Sequence, residues 1–158
     1  MIQTRPYRPG DADAFLPLYR ECLAYYRVRK PSAAQEARIV GILDGQRHLS
    51  CLMAFDGDRP LGFATWVLTF PSGTDIALYM KELFVREEAR GQGVGRALMA
   101  GLVHIAEDEG CCRFDWQTDM DNPDAQAFYA RLEAPLYEKV TYRVKAGEYD
   151  AFLSRLGA

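Results

Sequence analysis

The densest chemistry lies between positions 83 and 99, Leu83-Phe84-Val85-Arg86-Glu87-Glu88-Ala89-Arg90-Gly91-Gln92-Gly93-Val94-Gly95-Arg96-Ala97-Leu98-Met99. An apolar strand ends, a polar loop follows, and three alternating glycines open a helix. Glycine removes side chains where a backbone must come close to a ligand. The first turn of a helix carries free N–H groups and a partial positive charge. Together they suit the oxygens of a phosphate. Arg90 and Arg96 add positive charge at the rim. Two better-known phosphate patterns do not fit. A Walker loop needs Lys and then Ser or Thr after its last glycine, where this chain has Arg96-Ala97. A dinucleotide fingerprint needs glycine at position 96 and follows a first strand, whereas about eighty residues of other structure come first here.

The surrounding pattern says what must hold this loop. Ile2 to Arg5 reads as a short edge strand. Asp11, after Pro9-Gly10, can cap a helix in which Phe15, Leu18, Tyr19, Cys22, Leu23 and Tyr26 share a face. Ser32 can cap a second helix carrying Ile39, Ile42 and Leu43. Three strands follow: Leu49 to Phe55, Leu61 to Phe70 and Ile76 to Val85. Turns at Asp56-Gly57-Asp58 and Pro71-Ser72-Gly73 make them an antiparallel meander. Val94, Leu98, Leu102, Ile105 and Ala106 mark an amphipathic helix that Gly110 is placed to end. Cys112 to Thr118 reads as a strand. Asn122-Pro123 opens another helix, with Asn122 as cap. Leu136 to Val144 reads as a last strand region and Tyr149 to Leu156 as a terminal helix. With 158 residues and no repeats or linkers, the expectation is one α/β (α+β) domain over 1–158.

Composition removes several functions. About half the chain is apolar and the net charge is only −3, which argues against a nucleic-acid binder and against disorder. No run approaches the ~20 apolar residues of a membrane span, and the N-terminus lacks a signal-peptide plan, so the expectation is a cytoplasmic protein with no membrane partner. Cys22, Cys51, Cys111 and Cys112 form no Cys-x-x-Cys pair, and His48 and His104 lie far from any matching spacing, so no metal is expected. Reduced, mostly buried thiols are the expected state, and the histidines attract no role.

Arg90-x-x-Gly93-x-Gly95 resembles the Arg/Gln-x-x-Gly-x-Gly/Ala signature of the GNAT superfamily of N-acetyltransferases. Glu82-Leu83-Phe84-Val85 is similar to that family's fourth strand, and Asn122-x-x-Ala125-x-x-Phe128-Tyr129-x-x-Leu132 to its second motif. The resemblance is concentrated between about positions 79 and 132 and is closest to the diamine and polyamine acetyltransferase subgroup. It implies a mixed, mostly antiparallel central sheet of six to seven strands flanked by about four helices, with strands four and five splayed. It also implies acetyl-CoA as donor, a small-molecule amine as acceptor and a homodimer. One departure is visible: family members often carry Leu-Gly-Ala after the second-motif helix, and this chain has Leu132-Glu133-Ala134.

Carried over residue by residue, the resemblance implies that backbone N–H groups across Arg90, Gly91, Gln92, Gly93, Val94, Gly95 and Arg96 hold the pyrophosphate of CoA. Leu83, Phe84 and Val85 would pair with its pantetheine arm, and Asn122 would bond that arm or cap its own helix. Tyr129 would lie near the sulfur as general acid, although periodicity alone reads it as a core aromatic beside Phe128. Glu82 is the candidate general base and is equally readable as a solvated strand residue. Tyr25 and Arg29, near the first helix break, and Trp66 are candidates for the acceptor site. That basic break suits an amine that also carries a carboxylate better than a polycation. A protein lysine or N-terminal acetyltransferase and a non-catalytic acyl-CoA sensor are the alternatives.

Overall fold

The computed structural model describes residues 1–45, 48–70 and 75–157. The Pro71-Ser72-Gly73 turn lies outside the described residues. The chain divides into two compact units, Met1–Gln117 and Thr118–Ala158.

The first unit is built on a five-stranded sheet in the order β1 (Ile2–Pro6), β2 (Ser50–Asp56), β3 (Arg59–Thr69), β4 (Ala77–Val85) and β5 (Arg113–Trp116). The first three pairings are antiparallel, and β4 pairs with β5 in parallel. The expected meander is present. Its first turn closes between Asp56 and Arg59, with Gly57 in the left-handed region at φ 58°.

Helices cover both faces. On one, α1 (Ala12–Tyr25) buries Phe15, Leu18 and Cys22 in a cluster with Met53, Phe63 and Phe84. The Phe15 and Phe63 rings meet edge-on at 5.1 Å. The next helix, α2 (Ala33–Asp44), adds Leu43 to that cluster. It starts as expected from Ser32: the hydroxyl accepts the Gln35 N–H while the Gln35 side chain accepts the Ser32 N–H, a reciprocal capping box. On the other face lies α3 (Val94–Asp108), with Val94, Leu98 and Leu102 buried across the strands. It sits close because Gly101 has no side chain. A Cβ there would meet Leu52 Cδ2 at 2.6 Å. Gly110, at φ 69°, ends α3 in a Schellman turn, with Gly110 N–H bonded to the Glu107 carbonyl and Cys111 N–H to that of Ala106.

Asp11 takes a different partner from the one expected. Its carboxylate makes no cap bond to α1. It accepts two bonds from the Arg5 guanidinium, at 2.6 and 2.9 Å, and one from the Arg8 N–H. A bidentate charged pair outcompetes a single neutral cap bond. The Arg5 contact holds the Asp11 carboxyl below its usual range.

The second unit holds α4 (Pro123–Arg131) and α5 (Tyr149–Arg155), joined by a segment without strand pairing. This corrects the expected strand count: five strands are found among the described residues, not six to seven, alongside five α-helices. Leu136, Tyr137, Val140 and Tyr142 have strand-forming side chains but are 79–92% exposed. Strand propensity needs a neighbouring ladder to be realised, and no described strand pairs with this segment.

Gly62 imposes a second close approach. A Cβ there would lie 2.4 Å from the Phe84 carbonyl oxygen, which is backbone and cannot rotate away. Gly62→Ala is expected to lower stability by about 2–3 kcal/mol in denaturant unfolding. A loss below about 0.5 kcal/mol, the level of an ordinary surface change, would show that the β3–β4 ladder can spread.

Candidate active site

The site begins with an irregularity in β4. The β3 step Thr65–Trp66 faces Glu82 and Met80, so Lys81 is an extra residue on β4. Such a bulge reverses the alternation of side chains beyond it. Trp66 and Leu68 oppose Met80 and Leu78, on the face that α3 covers. Thr65 and Phe63 oppose Glu82 and Phe84, on the face that α1 covers. Without the bulge, Glu82 would point with Met80 toward α3. The parallel pairing with β5 stops at the same place, with Met80 opposite Trp116. From Lys81 to Val85, the outer edge of β4 has no strand partner among the described residues.

That free edge runs straight into the glycine loop. Arg90 Nε returns to donate to the Val85 carbonyl at 3.2 Å, and the Gln92 amide donates to the Glu88 carbonyl at 2.7 Å. Gly91 and Gly93 stand at φ 74° and 88°, where L side chains are strained. A Cβ at either would meet nothing within 4 Å, so these glycines answer to backbone conformation and approach, not to packing. Gly93 is the N-cap of α3, and no side chain caps the helix. The N–H groups of Val94, Gly95 and Arg96 therefore have no acceptor within the helix. Buried Val94 anchors this turn, and Gly91, Gln92 and Gly93 are exposed.

The end of α1 closes on the same loop. The Arg90 guanidinium lies over the Tyr25 ring, 4.9 Å from its centroid. Arg86 bonds Glu21 at 2.7 Å. Glu82 lies close enough to α1 for its charge to raise the pKa of Tyr19 and Cys22. In both groups burial is the larger cause, and Cys22 is pushed up to about 12. Thr65, opposite Glu82, is 5% exposed. The unit thus gathers Glu82, Leu83, Phe84, Val85, the loop from Arg90 to Arg96, and Tyr25. Trp66 stands beside the bulge, opposite Met80 and on the other face of the sheet from Glu82, and lines a cavity with Tyr7, His48, Ser50 and Glu109. Arg29 lines a groove between α1 and α2 together with Tyr19 and Arg38. Sequence reasoning passed over Tyr19 and Arg38. Tyr19 was visible only as part of the apolar stripe of α1, and Arg38 shared no motif.

In the second unit, Asn122 caps α4 as expected: its Oδ1 accepts the Ala125 N–H at 3.2 Å, with Pro123 at the first helical position. Tyr129 is half-buried, its ring 5.2 Å from that of Phe128. The helix still ends in a Schellman turn despite lacking glycine. Glu133 N–H bonds the Ala130 carbonyl, Ala134 N–H bonds that of Tyr129, and Glu133 stands at φ 53°. A non-glycine residue in that conformation costs roughly 1–2 kcal/mol.

Two of the four thiols, Cys22 and Cys51, are buried; Cys111 is intermediate and Cys112 exposed. Among the described residues no cluster of His, Cys, Asp and Glu could hold a metal ion, and no helix is long and apolar enough to cross a membrane.

Residues 12–133 match the acetyltransferase (GNAT) family. The chain belongs to the GNAT family. As a member it is an acyl-CoA-dependent N-acetyltransferase. It is 30% identical over 146 residues to the D-amino-acid N-acetyltransferase HPA3 of Saccharomyces cerevisiae, covering 90% of this chain and 89% of the yeast protein. Among solved structures it is similar to the integron cassette protein VCH_CASS6 from the mobile metagenome of V. cholerae. The TM-score is 0.82, with 29% identity over 96% of this chain and 97% of that one. The aminoglycoside acetyltransferase AAC(6')-Iy, solved with a CoA-containing bisubstrate analogue, shares the fold at a TM-score of 0.78 and 17% identity, covering 92% and 98% of the two chains. The GNAT fold accounts for the mixed sheet with its parallel β4–β5 pairing.

Proposed function

We propose that this GNAT protein transfers the acetyl group of acetyl-CoA to a primary amine of a small molecule, by direct attack within a ternary complex. The observation that carries the reading is the coincidence at β4. The bulge at Lys81, the end of β5 pairing and the uncapped glycine turn lie along one continuous stretch of chain. Acetyl-CoA offers a diphosphate for the N–H groups from Arg90 to Arg96, and an extended amide arm for the free edge of Leu83, Phe84 and Val85. Asn122 caps α4 through its Oδ1, which leaves its amide group to donate to that arm. The donor supplies an acetyl thioester.

The chain's own groups then handle protons. A primary amine has a pKa near ~10, so only ~0.1% is neutral at pH 7, a cost of about 4 kcal/mol. Glu82, turned toward α1 by the bulge, receives the amine proton directly or through water. Backbone N–H groups near Leu83 and Phe84 face the oxygen on which charge develops. Tyr129 returns a proton to the departing thiolate. The protein works as one domain over 1–158, as a homodimer in the cytoplasm. The similarity to HPA3 supports a small-molecule acceptor.

The test is release of free CoA thiol from acetyl-CoA across amines, amino acids, aminoglycosides and peptides. Release with small amines supports the reading. CoA binding with no release on any acceptor would replace it with a non-catalytic sensor. For the base, Glu82→Gln is expected to lower kcat/KM about 100-fold and to remove the acid limb of the pH profile. A variant that kept the wild-type acid limb would exclude Glu82.

A further inference from the structure

Between α1 and α2 the first unit has a groove of about 390 Å³ that the proposed chemistry leaves unassigned. Leu23 and Ile42 are among the apolar residues that line it. Arg29, Arg38 and Gln35 also line it, and so does Tyr19. The charges around it are unequally engaged. Glu36 is held by Arg20 through two bonds of 2.7 Å, which keeps the Glu36 carboxyl below its usual range. Arg29 and Arg38 have no ion-pair partner among the described residues. The Gln35 carbonyl is spent on the Ser32 N–H, which leaves its amide group to donate. Two guanidinium groups and an amide donor therefore line one groove together with apolar side chains.

We propose that Arg29 and Arg38 clamp a carboxylate on the acceptor, so that the substrate is an amine that also carries a carboxylate, with an amino acid as the simplest case. This rests on the amine-acetylation reading and names the acceptor class for that site. Tyr19 connects the two ends. It lines the groove, and its ring stacks on Phe15, which meets Phe63 on β3, two residues from Thr65, the residue opposite Glu82. An acceptor with its carboxylate on the arginines and its body along Tyr19 presents its amine toward the β4 bulge. A guanidinium pairs with a carboxylate in a planar, two-bond geometry that an ammonium cannot copy. A polycation would meet the same two arginines as repulsion.

The experiment compares matched acceptors that differ only by the carboxylate: lysine against 1,5-diaminopentane, and phenylalanine against phenethylamine. For the wild-type protein, kcat/KM for the carboxylated member of at least one pair is expected to exceed that of its partner by about tenfold or more. In the Arg29→Gln/Arg38→Gln double variant that ratio should fall toward one, mainly through a raised KM, and Arg38→Lys should restore only part of it. Circular dichroism and CoA calorimetry on the same variants separate loss of recognition from loss of fold. Equal or better acetylation of the decarboxylated amines by wild type would overturn the clamp and leave the acetyltransferase reading standing. A ratio that survives in the folded double variant would do the same. No acetylation of any member of either pair would sink the clamp. If no other amine or peptide is acetylated either, the acceptor reading falls with it.

Discussion

Tyr129→Phe is expected to lower kcat by about 100-fold and to leave CoA affinity within about twofold. The leaving group is a thiolate whose acid has a pKa near ~8.5, and a phenol near ~10 is well matched to return its proton. Phenylalanine keeps the ring that packs edge-on against Phe128 and removes only the hydroxyl. The backbone carbonyl of this position accepts both Leu132 N–H and Ala134 N–H, and the substitution leaves those bonds in place. Circular dichroism on the variant separates a catalytic loss from a folding one. Steady-state kinetics gives kcat, calorimetry gives the CoA affinity, and together they isolate the proton transfer. Unchanged turnover would remove Tyr129 from the mechanism and return it to the core reading that its spacing also allows.

Gly93→Val is expected to weaken CoA binding by about 100-fold, measured by calorimetry, with Gly93→Ala losing about tenfold. The left-handed φ of 88° costs an L residue roughly 1–2 kcal/mol, more for a β-branched one. Gly93 also accepts the Ala97 N–H through its own carbonyl, so a change in its dihedrals tilts the turn that presents Val94, Gly95 and Arg96. Each charge-assisted bond lost to a phosphate oxygen is worth about 1.5–3 kcal/mol. Since a Cβ at Gly93 meets nothing, packing strain cannot produce this loss. Gly110→Ala provides the control. It carries a similar backbone penalty at the far end of α3, and should cost about 1 kcal/mol of stability with CoA affinity retained. An unaltered affinity in Gly93→Val would mean that the phosphates are held elsewhere.

The features that could be read from the chain are local ones. The glycine stretch announces a backbone that must bend and be approached. The spacing of Val94, Leu98 and Leu102 gives the buried face of α3, and Ser32 with Gln35, like Asn122 with Pro123, marks a helix start. What escaped depends on partners distant in sequence. The Lys81 bulge exists only relative to β3. Along β4 itself, Leu78, Met80, Glu82 and Phe84 read as one face, and the pairing register splits them between two. Leu136 to Val144 alternates as a strand does, yet a strand needs a ladder to join. Cys111 precedes β5 because its N–H closes the α3 turn on the Ala106 carbonyl, and Cys112 leads into the strand with its N–H on the Ile76 carbonyl. Trp66 is a candidate for the acceptor site by its place on β3, and the pairing register turns it to the face opposite Glu82.

The bare position at Gly101 has a kinetic corollary. Gly101 seats the middle of α3 directly against Leu52, which blocks any movement of the helix closer to the sheet. A nucleotide should therefore dock onto an already assembled receptor. Stopped-flow traces should show one exponential phase, with an observed rate rising linearly with CoA concentration and no plateau from a preceding isomerisation.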